Sequence, residues 1–478
     1  MALRCTSTET NLHSQSQSWD FQNCETRQLV YAPKEEPKIP APAIFEDEAL
    51  QETGICPVAE RVIQLPTAAE CAVHLELLET FYVLRQRVLK SDSIDKTFGI
   101  YPIHQLRTGV QGDTKKLKDE TLWTRRQVKW QKYLILAVAR FLTWCRRLDQ
   151  LPENEMRISE ENLPPLDVIL VWHSFLLNPS LYRKQCSDSP VYRLTFPWAA
   201  VHHAIDNHDW TFCSHPGAAA YFMTLTGLEY DLSQQLSTWH GIISPAAPVY
   251  YWTSLINGID FTKPPGVPQW LETLCNNDLK KNICLHLKIC QDIDAPLAAD
   301  LKAAVIRQQS FAEKMNARLW IRSPALEGTL RRAIGRYDKF LILFKMYPRT
   351  TLVPTLDIDL VWHTHQCSAL AYFESTKQRT GRFLNHDDSI SSSKLGTGLR
   401  KTSELFRIRF GQEYAMCDCW DCHALASALD VNFVTERVGD VRFSIEKIAK
   451  RVMEDVRYHR TVEARRRMKL SFSSQSTS

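Results

Sequence analysis

The chain is 478 residues long, too much for one ordinary hydrophobic core and enough for roughly two to four. Apolar residues make up 44% and charged residues 23%, the balance of a folded chain rather than a disordered one. The net charge of +4 (58 − 54) gives no excess to attract nucleic acid or an acidic membrane, and 16 glycines are too few for a turn-rich all-β design or glycine-rich phosphate loops.

Residues 1–66 are polar, then rich in proline and glutamate (Pro33, Pro37, Pro40, Pro42; Glu35, Glu36, Glu46, Glu48), with no sustained period. Such a stretch buries too little surface to offset its ordering entropy, so a disordered arm is expected. A first helical unit is expected over 67–230. Within it Trp130, Tyr133, Leu134, Ala137, Val138, Phe141, Trp144, Cys145 and Leu148 recur in steps of three and four, forming one broad apolar face. Residues 231–320 read as a helical bridge, with helices at 268–291 and 296–319. A second unit over 321–430 repeats the spacing with Tyr337, Phe340, Leu341 and Phe344 before Pro348. Residues 431–478 complete the chain as a basic helix, centred on 442–468, and a disordered tail. The fold class is mostly α.

No apolar run approaches the ~18 to 20 residues that span a bilayer. The first twenty residues hold no hydrophobic stretch after Arg4, so no secretory leader is expected. Fourteen irregularly spaced cysteines in so long a chain suit reduced thiols in a cytosolic protein. The basic cluster Arg465–Lys469 leaves nuclear entry open, although such a cluster also suits a solvated helix face.

The chain contains an internal echo. Pro164–Tyr182 and Pro354–Tyr372 align at an offset of 190, with 8 of 19 positions identical: Pro, Leu, Asp, Leu, Val, Trp, His and Tyr. Upstream, Lys132–Leu136 echoes Lys339–Leu343 at an offset of 207, which implies a connection 17 residues longer in the first copy. Two related units from a duplication are expected, not a solenoid, whose periods are shorter. Shared positions (Asp357, Trp362, His363, Tyr372) are candidates for scaffold: a core tryptophan and a satisfied buried histidine. Positions polar in one copy only are better functional clues. Asp359 stands opposite Ile169, and His365 opposite Phe175. Asn385, His386, Asp387 and Asp388 follow closely.

On a helix Asp359 and His363 share a face, whereas His363 and His365 lie about 200° apart and could not chelate one ion. On a strand, Asp357, Asp359, His363 and His365 would share a face. Pro354 and the early Asp357 favour the helix. One divalent metal could then take Asp359 and His363 with His386, Asp387 or Asp388. The alternative is a hydrogen-bonded network without metal.

Cys417, Cys419, Cys422 and His423 form a second cluster with the identities of a metal or redox set. Their crowding departs from the two separated pairs of a conventional zinc site. Thiols packed at a helix start, coordination shared with His386–Asp388, and a redox role at Cys419 and Cys422 are the three readings. No G-x-x-x-x-G-K-[ST] loop, G-x-S-x-G elbow or H-E-x-x-H motif occurs, and the basic segments lack an RNP-like aromatic strand.

Val353-Pro-Thr-Leu-Asp-Ile-Asp-Leu-Val-Trp-His-Thr-His-Gln366 resembles the signature of the glycine-rich domain-containing protein-like family of plants and fungi. The segment Gly381–Asp388, the Thr402…Phe406…Phe410-Gly411…Tyr414 stretch and Cys417-Asp-Cys-Trp-Asp-Cys422 resemble its fungal branch. The last motif has one residue rather than two between Trp420 and Cys422. The resemblance spans about 68–430 and implies a helical core. It brings no catalytic residue, and neither the RNA-binding-like segment nor the glycine-rich tail of some members is expected here. The sequence reading favours a non-enzymatic protein binding a small-molecule ligand or a protein partner, with Asp357, Trp362, His365 and Asn385 as candidate contacts. The alternative is a metal-dependent hydrolase or tailoring enzyme using Asp359, His363, His386, Asp387 and Asp388, with Cys417, Cys419 and Cys422 as further metal candidates. Neither nucleic acid nor a membrane is an expected partner.

Overall fold

A computed structural model describes residues 38–46, 50, 64–103, 105–108, 114–117, 119–152, 156–242, 281, 284–286, 288–290, 294–386, 392–435 and 445–475. Most of the expected arm, residues 243–280 of the expected bridge, and Asp387 and Asp388 lie outside the described residues. The chain is mostly helical, as its periodicity predicts. In order the helices are α1 (Ala68–Lys90), α2 (Asp92–Thr97), α3 (Leu122–Leu148), α4 (Leu166–Leu176), α5 (Pro179–Cys186), α6 (Trp198–Ala204), α7 (Pro216–Thr226) and α8 (Leu232–Ile242). They continue as α9 (Ala295–Arg318), α10 (Leu326–Met346), α11 (Leu356–Gln366), α12 (Ala369–Thr380), α13 (Ser392–Phe410), α14 (Trp420–Thr435) and α15 (Ile445–Gln475). Among the described residues no helix is long and apolar enough to cross a membrane.

The chain divides into two compact units that interleave in sequence. One, here the Trp172 unit, comprises Thr80–Leu194 and Phe212–Ser310; the other, the Trp362 unit, comprises Met1–Glu79, Thr195–Thr211 and Phe311–Ser478.

In the Trp172 unit, α3 presents Trp130, Tyr133, Leu134, Ala137, Val138, Phe141 and Trp144 as its buried face, and α4 packs against it. Arg140 is fully buried on α3. Its Nε donates to Asp167 at 2.6 Å, and its two terminal nitrogens donate to the Glu229 and Tyr230 carbonyls at 2.8 Å each. On α4, Trp172 Nε1 meets the Tyr182 hydroxyl at 3.3 Å, and that hydroxyl donates to the Val191 carbonyl at 3.2 Å. A short antiparallel hairpin, β1 (Gln105–Thr108) and β2 (Thr114–Leu117), pairs Gln105 with Leu117. Its sequence signal is the five-residue connection 109–113, which carries Gly109 and Gly112.

The Trp362 unit repeats this wiring around α10 and α11. Thr67 and Glu70 form a reciprocal cap at the start of α1, with Thr67 N–H donating to Glu70 at 2.9 Å and Glu70 N–H to Thr67 at 3.2 Å. On α10, Leu330, Ala333, Tyr337, Phe340, Leu341 and Phe344 are buried. Arg336 Nε donates to Asp357 at 2.6 Å, and its Nη2 donates to Thr355 at 3.1 Å and to the Tyr414 carbonyl at 2.6 Å. Matching contacts therefore relate Arg140 to Arg336, and Trp144 (5.4 Å from Trp172) to Phe340 (5.7 Å from Trp362). That is an offset of 196, so the 207 echo does not mark positions making the same contacts. The arginine-to-aspartate separation is 27 residues in one unit and 21 in the other, so the extra connection is 6 rather than 17.

Residues 38–46, inside the stretch expected to be disordered, pack against this unit. Pro42–Phe45 form a 3-10 turn with Ile44 buried, and Arg322 Nη1 donates to the Ile39 carbonyl. Arg322 Nε also donates to Glu463 at 3.0 Å on α15, where Arg466 (2.6 Å) and Arg467 (2.7 Å) bind the same carboxylate.

Candidate metal centre

Helix α11 begins after Thr355, whose extended backbone follows Pro354 and whose hydroxyl donates to Asp357 at 2.5 Å. Asp357 and Asp359 occupy its first turn, where the positive helix end favours carboxylates. The helix settles the question left by the alternating pattern: His363 and His365 face opposite ways. His365 turns to Tyr337, with Nδ1 at 3.0 Å from the hydroxyl, and burial lowers its pKa to about 3. His363 turns to Asp359 and to His386.

His386 reaches this point through a relay of buried groups. Trp362 Nε1 donates to the Tyr372 hydroxyl at 2.8 Å, and that hydroxyl donates to the Leu384 carbonyl at 3.0 Å, two residues before His386. Gly381 terminates α12 with a left-handed φ of 80°, which turns the chain back toward α11. The His386 ring then stands edge-on to Trp362 at 4.8 Å and to His363 at 4.7 Å.

Three ligand-type atoms converge. His363 Nε2 lies 3.2 Å from His386 Nε2, and Asp359 Oδ1 lies 3.4 Å from each. Asp359 Oδ1 is buried without a hydrogen bond, and neither His363 Nδ1 nor His386 Nδ1 has a protein partner among the described residues. Burial is the main cause lowering the His363 pKa to about 4, against the pull of Asp359, so the ring is neutral near pH 7 and offers a lone pair. Burial pushes the Asp359 carboxyl up, but His363, His386 and Lys314 outweigh it and hold the group ionised. Phe311 closes one side of the His363 ring at 4.4 Å, while the Asp359 side chain keeps 23% of its surface exposed.

Bonds of ~2.0–2.1 Å in a tetrahedral arrangement place ligand atoms about 3.3 to 3.4 Å apart. The observed triangle has that size. Three protein ligands leave a position for water or substrate, the arrangement of catalytic rather than structural sites. In the Trp172 unit similar contacts are present, with Ile169 at the position that the echo aligns with Asp359, and His173 packs beside Phe81 at 5.4 Å.

The other expected site residues divide. Asp357 is tied to Arg336, Trp362 to Tyr372 and His365 to Tyr337, while Asn385 sits exposed beside the triangle. Cys417, Cys419 and Cys422 gather their sulfurs within 4.8 Å of one another as a group separate from Asp359, His363 and His386. The expected sharing of ligands between the thiols and His386 is thus replaced by two independent sets.

Sequence reasoning did not find the supports. Arg336 is 21 residues upstream of Asp357, and Phe311 and Lys314 lie on α9; no local spacing links them to α11. It also missed a cleft of about 390 Å³ lined by Lys38, Phe45, His202, Arg322, Arg465 and Arg466. Four separate segments build that cleft, and Glu463 with the Ile39 and His208 carbonyls already occupies the donors of Arg322 and Arg466.

The fold and the triangle define an α-helical protein in which a Pro-x-Leu-Asp-x-Asp-Leu-Val-Trp-His segment supplies the aspartate and one histidine of a two-histidine, one-carboxylate cluster and the loop after α12 supplies the other histidine. A family model described as glycine-rich domain-containing protein-like matches residues 272–375, which include that helix. Over those residues the chain is similar to this family. It is similar to glycine-rich domain-containing protein 2 of Arabidopsis thaliana, with 25% identity over 279 residues, 57% of this chain and 28% of that protein. It is also similar to glycine-rich domain-containing protein 1 of the same plant, with 37% identity over 123 residues, 24% of this chain and 14% of that protein. The chain thus spans less than a third of the length of these relatives. No solved structure matches it.

Proposed function

We propose that the Trp362 unit binds one first-row divalent ion of the zinc type through Asp359, His363 and His386, and that the ion activates water for hydrolysis of a small substrate. The observation that carries this reading is the triangle of 3.2, 3.4 and 3.4 Å with its buried, unbonded carboxylate oxygen. A buried carboxylate oxygen and two imidazole nitrogens drawn together at these distances are costly without a shared cation, and ordinary with one. The partial exposure of Asp359 gives a route to the open position.

The duplication expected from the echo fits the same reading. Both units use an arginine-aspartate pair and a Trp-Tyr-carbonyl relay; the Trp172 unit is then the copy without ligands. Non-enzymatic binding through Asp357, Trp362, His365 and Asn385 has less support, because Asp357, Trp362 and His365 are engaged internally. A cytosolic setting agrees with unpaired thiols at all ten described cysteines.

The test is equilibrium dialysis of the full chain against Zn2+ in a Cys417→Ser/Cys419→Ser/Cys422→Ser background, which removes the separate thiol cluster, with this parent compared to its Asp359→Asn and His363→Ala variants. Tight zinc in the parent, weakened at least a hundredfold in both variants, is expected. Equal affinity in all three proteins overturns the proposal.

A further inference from the structure

The strongest chemistry outside the triangle lies at the start of α14. Cys417, Cys419 and Cys422 place three sulfurs within 4.8 Å, with the Cys417 and Cys419 sulfurs 3.3 Å apart. Cys71, Cys290 and Cys367 are buried, while Cys145, Cys186 and Cys284 have intermediate exposure. Cys417, Cys419 and Cys422 also have intermediate exposure, and what sets them apart is the convergence of their sulfurs.

The loop that carries them is held from both sides. Trp320 Nε1 donates to the Asp418 carbonyl at 2.8 Å, and Trp420 Nε1 donates to the Arg318 carbonyl at 2.9 Å. Between Arg318 and Trp320 stands Leu319 with a left-handed φ of 52°, a conformation uncommon for leucine and kept here where the two tryptophan bonds meet. Asp418 is bound by Arg318 at 2.6 Å and Asp421 by Arg460, so the carboxylates interleaved with the thiols add little repulsion. Cys419 is the residue before α14, and Cys422 lies in its first turn. The positive end of a 16-residue helix therefore faces the charge that thiolates would carry. His423 takes no part: its ring stands edge-on to Trp320 at 5.5 Å.

We propose that Cys417, Cys419 and Cys422 form a second metal site, specific for a thiophilic d10 cation such as Zn2+, bound by three thiolates with its fourth position open to solvent. Zn–S bonds of about 2.3 Å set tetrahedral sulfur separations near 3.8 Å. The 3.3 Å pair and the 4.8 Å limit of the group bracket that value. Binding releases the thiol protons and forms three metal–sulfur bonds, with no oxidant or reductant involved. The site does not depend on the Asp359 triangle.

The experiment uses the full chain carrying His363→Ala, reduced and metal-free, so that failure of the triangle and of the thiol site are read separately. Dialysis against Zn2+ should give about one bound equivalent. Peptide mass spectrometry should show alkylation at Cys417, Cys419 and Cys422 slowed at least tenfold by zinc, while Cys213 is unaffected. Cys419→Ser should abolish both effects. As a check independent of that variant's folding, Cd2+ added to the His363→Ala chain should produce thiolate-to-cadmium charge-transfer absorption. Unchanged alkylation with zinc, or no charge-transfer absorption with Cd2+, overturns the proposal.

Discussion

The Tyr372 hydroxyl donates to the Leu384 carbonyl at 3.0 Å while accepting from Trp362 Nε1 at 2.8 Å, and this fixes the backbone two residues before His386. Tyr372→Phe removes both bonds and leaves a buried indole N–H and a carbonyl without that partner. A loss of about 1 to 3 kcal/mol of stability is expected. Because the hydroxyl orients the loop bearing a ligand, zinc affinity should also fall by about 10- to 100-fold. Thermal denaturation and zinc competition with a chelator measure the two effects.

Asp359 behaves in the opposite way. Its Oδ1 is buried without a hydrogen bond, so the ligand set is held at some cost to the metal-free fold. Asp359→Asn should leave the metal-free protein within about 1 kcal/mol of the wild type, or stabilise it. In a Cys417→Ser/Cys419→Ser/Cys422→Ser background, which leaves the triangle as the single site, zinc at a hundredfold excess over its dissociation constant stabilises the fold by about 2.7 kcal/mol, and that increment should vanish when Asp359→Asn is added. Melting curves with and without zinc show both.

Arg336 joins α10, α11 and the Tyr414 carbonyl through its guanidinium. Arg336→Met alone strands a largely buried Asp357 and should cost about 3 to 5 kcal/mol. Combining it with Asp357→Leu should restore part of the loss, since a buried pair can be replaced by apolar groups more easily than halved. Urea unfolding of the two single variants and the double variant gives the coupling.

Two buried glutamates near α15 oppose each other in acid. Burial raises Glu79 to about 7, against the Asn316 hydrogen bond and the nearby arginines. Burial opposes ionisation of Glu463 too, but Arg466, Arg322 and Arg467 overcome it and lower the group to about 2. The Glu463 contribution is present above its unfolded value of 4.5 and lost as pH falls through 2. The Glu79 contribution is present below 4.5 and lost as pH rises through 7. Glu79→Gln should therefore gain stability relative to wild type between pH 5 and 8, by on the order of 3 kcal/mol at most. Glu463→Gln should destabilise at pH 7 and flatten the acid limb below pH 4.5. Denaturation across pH 3 to 8 compares the slopes.

Periodicity made the helices legible, and the i, i+4 spacing of Asp359 and His363 made half of the triangle legible. His386 could be named but not placed, because its approach depends on a hydroxyl-to-carbonyl bond 12 residues long in sequence. The upstream register failed for a related reason. Two similar apolar strings match at 207, whereas the buried arginines that fix the helices match at 196, and one charged residue weighs little in a hydrophobic pattern. Glu463 and Arg322 are 141 residues apart, and nothing local in α15 announces their pairing. The basic run Arg465–Lys469 reads as a solvated face, yet Arg466 is buried against Glu463. Trp362 and Tyr372, which both halves of the echo share, are buried and tied to each other. His363 is shared too, yet Asp359 and His386 stand beside it, whereas the position that aligns with Asp359 is Ile169.

Elemental analysis of the full chain after exhaustive dialysis, in a Cys417→Ser/Cys419→Ser/Cys422→Ser background that removes the thiol group, tests the triangle most directly. About one equivalent of a divalent transition metal should remain, persist in His365→Ala, and be lost in His363→Ala and His386→Ala. Retention of the metal in His363→Ala and His386→Ala, or its absence from the parent chain even after zinc is supplied before dialysis, would contradict the assignment.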